Sequence, residues 1–341
     1  MIPRRVVLLL VLCAAWAAAA QPLIVEADVR AVLTQQLRFS EDDLADVRRG
    51  RIVRHALPSR GPGEVAVVGA VRVGAPKAAF FARVRDITRF KSGPDVLQIG
   101  RFSTPPTLDD LAALSVDKDD FDVRSCRVGD CGIRLPADVI RRFQQEIDPK
   151  APDAQPRGAE MFKAFLLADA QAYAGGAERM TQYDDGSKPI RPRDQFESIL
   201  ANMPEIGTLV PGLPDHLRHF PSSRLPDAED FLYWSKEKFG MEPFITVTHV
   251  TIVCRSAATC LMTTRDVYSS RYLDASVAFA IATDAGDAPN GFDLTYENRS
   301  RANALKGVLG GLRRSLTERR ARGGLEESLK TIKIQLEMGA R

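Results

Sequence analysis

Phe244-Ile-Thr-Val-Thr-His-Val-Thr-Ile-Val-Cys254 and, after a short loop, Cys260-Leu-Met-Thr-Thr-Arg-Asp-Val-Tyr268 form the stretch that decides the fold. Both runs are dense in β-branched side chains, which fit a pleated, half-buried surface. The cysteines flank the loop, so the runs read as a hairpin with Cys254 facing Cys260. Two more strand-length runs follow, Ala275–Thr283 and Phe292–Glu297, with a turn over 286–291 between them. The expectation is a series of antiparallel strands.

A long helix closes the chain. Leu305, Val308, Leu309, Leu312 and Leu316 form one apolar stripe, continued by Leu325, Leu329, Ile332 and Leu336 after Gly323-Gly324. The first part of this helix also holds Ala304, Gly307, Gly310 and Gly311. Each glycine there costs about 1 kcal/mol of helix propensity relative to alanine. That cost is reasonable where something approaches the backbone closely.

Upstream, Ile24–Leu37 and Glu41–Arg49 read as helices, the second opened by Ser40 with acids in its first turn. Val65, Val67, Gly69, Val71 and Val73 alternate along a strand, and Pro76 begins a short helix carrying Phe80, Phe81, Val84 and Ile87. Val96–Phe102 reads as another strand, and residues 121–135 as a second hairpin, with Cys126 and Cys131 flanking a Gly129-Asp130 turn. The middle of the chain is different. Pro136–Ile147 and a longer segment striped by Met161, Phe162, Phe165, Leu166 and Tyr173 are helical, and five prolines between Pro204 and Pro226 predict short helices and turns.

A strand, a short helix, a run of antiparallel strands and a long final helix is the element order of a helix-grip domain. Glu64–Val73 with Pro76–Asp86, and Asp266-Val-Tyr-Ser-Ser-Arg-Tyr272 leading into Asn298–Glu337, resemble the START/Bet v 1-like superfamily in architecture. The whole chain is otherwise similar to exported bacterial proteins. The helix-grip resemblance implies an α+β fold whose curved antiparallel sheet wraps a C-terminal helix around a cavity. The division expected is a signal peptide over 1–20, an N-terminal helical segment over 21–58, and a START-like domain over 59–341 interrupted by a helical insertion at about 136–243.

Export is expected from the first residues. Arg4 and Arg5 precede the apolar run Val6–Leu12, and Ala18-Ala19-Ala20 supplies small residues for cleavage before Gln21. The destination would be periplasmic or extracellular, where disulfides are the default for Cys126, Cys131, Cys254 and Cys260. Local pairing, Cys126 with Cys131 and Cys254 with Cys260, is the first expectation. Crossed pairing and a four-thiolate zinc site are the alternatives, although the spacing is wide for zinc.

With 45% hydrophobic and 27% charged residues, the composition is that of an ordinary globular chain. Removing Arg4 and Arg5 takes the net charge from +3 to about +1, which argues against a nucleic-acid partner. Basic residues concentrate at the end: from Arg299 to Arg341 there are 11 Lys/Arg against 4 Asp/Glu. A transient membrane contact through this helix is therefore a further expectation.

Candidate ligand-binding residues are the polar and aromatic positions of the late strands, His249, Tyr268, Tyr272 and Tyr296, with Trp234 and the helix glycines Gly307 and Gly311. Tyr268 and Tyr272 are read as sharing one face of a strand. No catalytic set is assigned: G-x-S-x-G and phosphate-cradling loops are missing. His216 and His219 stand among prolines in what reads as a surface turn, so neither a metal nor a cofactor is expected. The functional expectation is an exported carrier of a hydrophobic small molecule or lipid held between sheet and helix. The alternatives are an enzyme using the same cavity, with His249 and nearby tyrosines as acid/base groups, and a structural envelope-interaction protein with a filled core.

Overall fold

The late β-branched runs do pair as antiparallel strands, and earlier ones join them. The computed structural model describes residues 26–176, 182–186, 188–238, 242–288, 290–306 and 310–339. Among these residues the strands are β1 (Val53–Ala56), β2 (Glu64–Val73), β3 (Val96–Arg101), β4 (Ala228–Glu237), β5 (Phe244–Cys254), β6 (Thr259–Ser269), β7 (Ala275–Asp284) and β8 (Phe292–Arg301). They form one curved, open sheet in the order β1-β2-β8-β7-β6-β5-β4-β3, and each neighbouring pair is antiparallel.

The helices are α1 (Glu26–Ala31), α2 (Glu41–Arg48), α3 (Lys77–Arg85), α4 (Ile87–Phe90), α5 (Ala137–Glu146), α6 (Ala154–Ala174), α7 (Pro192–Leu200), α8 (Pro204–Leu209), α9 (Leu213–His219) and α10 (Gly310–Gly339). The class is α+β with a long C-terminal helix, as expected.

Period-two alternation sorts the sheet into two covered faces. On one, Val65, Val67, Val71 and Val73 of β2 join Phe292 and Leu294 of β8 under α3, α4 and α10. On the other, Ala66, Val68 and Ala70 of β2 with Val277, Phe279 and Ile281 of β7 lie under the N-terminal helices and α7–α9. The far end of this second face, at Leu232, Trp234, Ile245, Val247 and Tyr268, lies under α5 and α6. Because both faces are covered, β2 and β7 read as near-continuous apolar runs rather than clean alternation, and β5 is buried along all but its last residue.

α10 runs alongside β2 in the same direction. Arg54 Nε donates to Glu326 at 2.6 Å, Lys333 Nζ to the Arg72 carbonyl at 2.7 Å, and the Gly74 N–H to Glu337 at 2.8 Å. Leu325, Leu329 and Leu336 are buried on the strand. The close approach is made possible by Gly69 of β2, where a Cβ would stand 2.9 Å from Leu329 Cδ1. It does not come from the helix glycines: Gly310 faces its own chain, Gly311 faces open space, and Gly307 lies outside the described residues.

Several local expectations change. Residues 121–135 form a coil with one isolated bridge, Arg127 to Asp130, rather than a hairpin. Even so, Cys126 bonds Cys131, and Cys254 bonds Cys260, its register partner. The sulfurs are thus joined in pairs and not gathered round a zinc ion. β8 extends to Arg301, and α10 starts at Gly310 and continues unbroken through Gly323-Gly324. β1 and β4 are strands within segments read as helical. The signal segment 1–20 and the junction at Gln21 lie outside the described residues. The disulfides are consistent with an exported protein. No described helix is long and apolar enough to cross a membrane.

Candidate functional site

The face that carries α10 changes character along its length. Where α3 and the second half of α10 lie, it is apolar. Toward the other end, in the same rows, stand Tyr296, Asn298 and Ser300 of β8, Ser276 of β7, Thr264 and Asp266 of β6, and Thr246 and Thr248 of β5. Tyr296, Asn298, Ser300, Ser276, Thr264 and Asp266 are half-buried. The two serines are 3.0 Å apart through their hydroxyls, Asn298 Nδ2 donates to Ser276 Oγ at 3.2 Å, and Ser300 Oγ donates to Asn298 Oδ1 at 2.8 Å. Leu325 and Leu329 of α10 stand against Gly69, and residues 311–317 earlier in the helix are exposed.

A bulge shapes this floor. Val247 pairs with Tyr268, but Thr248 pairs with Asp266, so β6 changes face between those residues. Asp266 continues the Cys260, Met262 and Thr264 row on the α10 side, where Thr248 Oγ1 donates to it at 3.0 Å, and Tyr268 turns to the other face. Burial raises its pKa to about 7 against the pull of Lys91.

Lys91, just after α4, reaches over the same end. Its ammonium donates to Glu237 and lies 3.3 Å from the Tyr233 hydroxyl and 3.4 Å from Ser235 Oγ. Burial works against its charge, but Tyr233, Glu237 and Asp266 outweigh it and raise its pKa. Burial and neighbouring Tyr233 likewise push the Tyr296 phenol up. Two phenols, two carboxylates and one ammonium thus share one half-buried end of the sheet.

His249 lies on the opposite face, in a chain of polar groups. Asp230 Oδ1 accepts from His216 Nε2 at 3.0 Å, His249 Nε2 at 2.9 Å and Thr251 Oγ1 at 2.7 Å. His249 Nδ1 is then left to accept from the Tyr173 hydroxyl at 2.9 Å. His216 Nδ1 lies 2.7 Å from the Ser223 carbonyl oxygen and 3.3 Å from the Leu225 backbone nitrogen. The His216 pKa is raised: burial opposes its charge, and Asp230 outweighs burial. Burial lowers His249. Asp230, although desolvated, is held well below the usual carboxylate range by the histidines and Thr251. The chain ties α6, α9, β4 and β5 together, and Tyr173 lines a cavity of about 40 Å³ with Asp169, Arg193 and Arg265.

The sequence-derived residues are therefore dispersed. Tyr296 is at the polar end of the α10 face. His249, Tyr268 and Trp234 are buried on the other side. Tyr268 donates to the Arg134 carbonyl at 2.9 Å, and the Trp234 indole donates to the Asp110 carbonyl at 2.8 Å and occupies the space that a side chain at Gly100 would need. Tyr272 does not share a face with Tyr268, because β6 ends at Ser269 and Tyr272 sits in a turn at φ 63°. Gly311 is exposed, and Gly307 is not described. His216 is a buried helix residue and not part of a surface turn. Asp266, Lys91, Tyr233 and Glu237 were not singled out from sequence; a lone acid and a lysine in polar surroundings carry no periodic signal.

Neither cavity described lies beneath α10. The one of about 40 Å³ has room for little more than water. The other, about 320 Å³, is an open cleft beside the Cys126–Cys131 loop, lined by Asp119, Asp122, Asp130, Glu242, Lys118 and Arg271. Among the described residues no group of three or more His, Cys, Asp or Glu is arranged to hold a metal ion. No protein-family model matches the chain, and no curated protein matches it.

Proposed function

We propose that the chain is an exported binding protein of helix-grip type, and that it takes a small polar ligand on the floor of Tyr296, Asn298, Thr264 and Asp266. The START/Bet v 1-like relationship suggested by the element order supports the location, between sheet and C-terminal helix. One observation carries the ligand's chemistry. The apolar half of that face is filled by Leu325, Leu329, Leu336 and the α3 phenylalanines, whereas its half-buried remainder presents hydroxyls, an amide and a carboxylate. Such a floor favours hydroxyl- or amino-bearing molecules, which can replace the water on those groups with direct hydrogen bonds. A lipid would leave the same groups desolvated and unpaired.

The test is a thermal-shift and calorimetric panel on the full exported chain. It sets polyols, sugars and small amines against fatty acids and phospholipids. Binding of a polar compound that is weakened tenfold or more by Tyr296→Phe or Asp266→Asn supports the reading. Binding of a lipid, with the polar panel silent, overturns it.

A second reading rests on the Tyr173–His249–Asp230 chain. The geometry is that of a phenol activated by an oriented imidazole, which suits acid/base chemistry. Its near-complete burial favours a role in holding four elements together, with Tyr173 alone reaching the small cavity.

A further inference from the structure

We propose that the outward face of α10 is a homodimer interface, on which a second copy of this chain docks antiparallel. α10 presents two apolar stripes. The inner one packs on β2. The outer one consists of Leu312, Leu316, Ile334 and Met338, which are 65%, 50%, 45% and 65% exposed. At 100° per residue these four fall within one quadrant, opposite Leu325, Leu329 and Leu336. They are unevenly placed along it: one pair lies in the first two turns and the other in the last two.

That spacing is self-complementary. Leu312 and Met338 stand thirteen residues either side of Leu325, and Leu316 and Ile334 stand nine either side. Two copies crossing antiparallel at the level of Leu325 bring each leucine of one helix onto the isoleucine or methionine of the other, twice over. This is the repeated, two-fold contact of a closed dimer. At the crossing the outward residues are Gly323 and Glu327, and a Cβ on Gly323 would meet nothing within 4 Å, so a second backbone can come close.

Charge points the same way. Arg313, Arg314, Arg319, Arg320 and Arg322 against Glu318 make the first half of α10 +4. Glu326, Glu327 and Glu337 against Lys330 and Lys333 make the second half −1. In the antiparallel arrangement Arg320 lies on the same flank as the partner's second half at Glu327, which also holds Lys330 at 4.0 Å. A membrane is the poorer occupant, because Gly323, Glu327 and Lys330 interrupt the apolar face at its middle, whereas a helix lying in a bilayer interface needs a continuous one. Residues 311–317 are exposed all round. A helical segment without tertiary support is marginal in water, and a second copy supplies that support.

The experiment uses the full exported chain carrying Leu316→Cys together with Ile334→Cys, oxidised under mild conditions. Eighteen residues along one helix span roughly 27 Å, so the two cysteines cannot bond within a chain. A covalent dimer from the double variant, with none from either single variant, is the expected result, alongside a dimer by sedimentation that Leu316→Glu with Ile334→Glu converts to a folded monomer. A wild-type monomer at every soluble concentration overturns the proposal. So does cross-linking by Leu316→Cys alone, which indicates a parallel pair, and so does attachment of a monomer to phosphatidylglycerol vesicles through this stripe.

Discussion

Thr248 and Asp266 face each other across the β5–β6 bulge, with the threonine hydroxyl donating to the carboxylate at 3.0 Å on the α10 side of the sheet. Alternation from Met262 through Thr264 puts the acid among half-buried hydroxyls, and the bulge beyond it turns Tyr268 to the opposite face.

Burial raises the Asp266 pKa from 3.8 to about 7. The folded state then holds this proton more tightly than the unfolded chain does. Its contribution to stability is therefore complete below pH 3.8 and is lost as the pH rises toward 7. Replacing Asp266 by Asn removes the loss. Denaturant titrations should show Asp266→Asn gaining on the wild type by about 1–3 kcal/mol between pH 4 and pH 8. An equal difference at both pH values contradicts this assignment.

Asp230 accepts from His216 and raises its pKa against burial, so the contribution of protonated His216 to stability is complete below pH 6.5 and lost at higher pH. Asp230→Asn leaves that cation without a counter-charge, a defect worth about 3 kcal/mol for a buried ion. The loss should be larger at pH 5.5 than at pH 8, where His216 can shed its proton. Chemical denaturation at the two values measures it, and a pH-independent loss would show His216 to be neutral.

The seating of α10 depends on Gly69 and Leu329. Leu329→Ala should cost about 2–5 kcal/mol, the range for truncating a buried leucine. Gly69→Ala places a methyl where Leu329 Cδ1 stands at 2.9 Å and the Val53 carbonyl at 3.2 Å. Hydrogen exchange should accelerate over 310–339 in both variants, while β5 and β6 keep their protection. Uniform loss of protection would mean that the helix and sheet unfold as one unit.

The Cys254–Cys260 bond closes a very short loop between residues already paired in the ladder. Constraining so short a loop removes little unfolded-state entropy, so Cys254→Ala with Cys260→Ala should cost no more than about 2 kcal/mol. Calorimetric melting of the double variant tests this, and loss of the folded state would give the bond a larger role.

What the sequence revealed follows from how many residues share each signal. β5 to β8 and α10 are long and strongly patterned, so their existence and order were readable, as were both cysteine pairings. β4 was obscured because its Phe231-Leu-Tyr-Trp234 core follows a proline-rich segment and is flanked by charges such as Asp230 and Lys236 that are satisfied only in three dimensions. Tyr268 and Tyr272 do not share a face because the strand stops at Ser269 and Tyr272 lies in a turn, a boundary that alternation does not announce. The polar floor was half legible: Tyr296 was chosen from its strand, but Asp266 and Lys91 are joined by pairing that no local pattern announces. The helix glycines were read for close contact, and the contact is made by a glycine on the strand instead.

The account stands most directly on what occupies the α10 side of the sheet. Native mass spectrometry of the chain purified from its native cells, followed by organic and aqueous extraction, measures this. The account predicts a small water-soluble adduct that is absent from Asp266→Asn and Tyr296→Phe preparations. A bound acyl-chain lipid, or an adduct unchanged by either substitution, would contradict it.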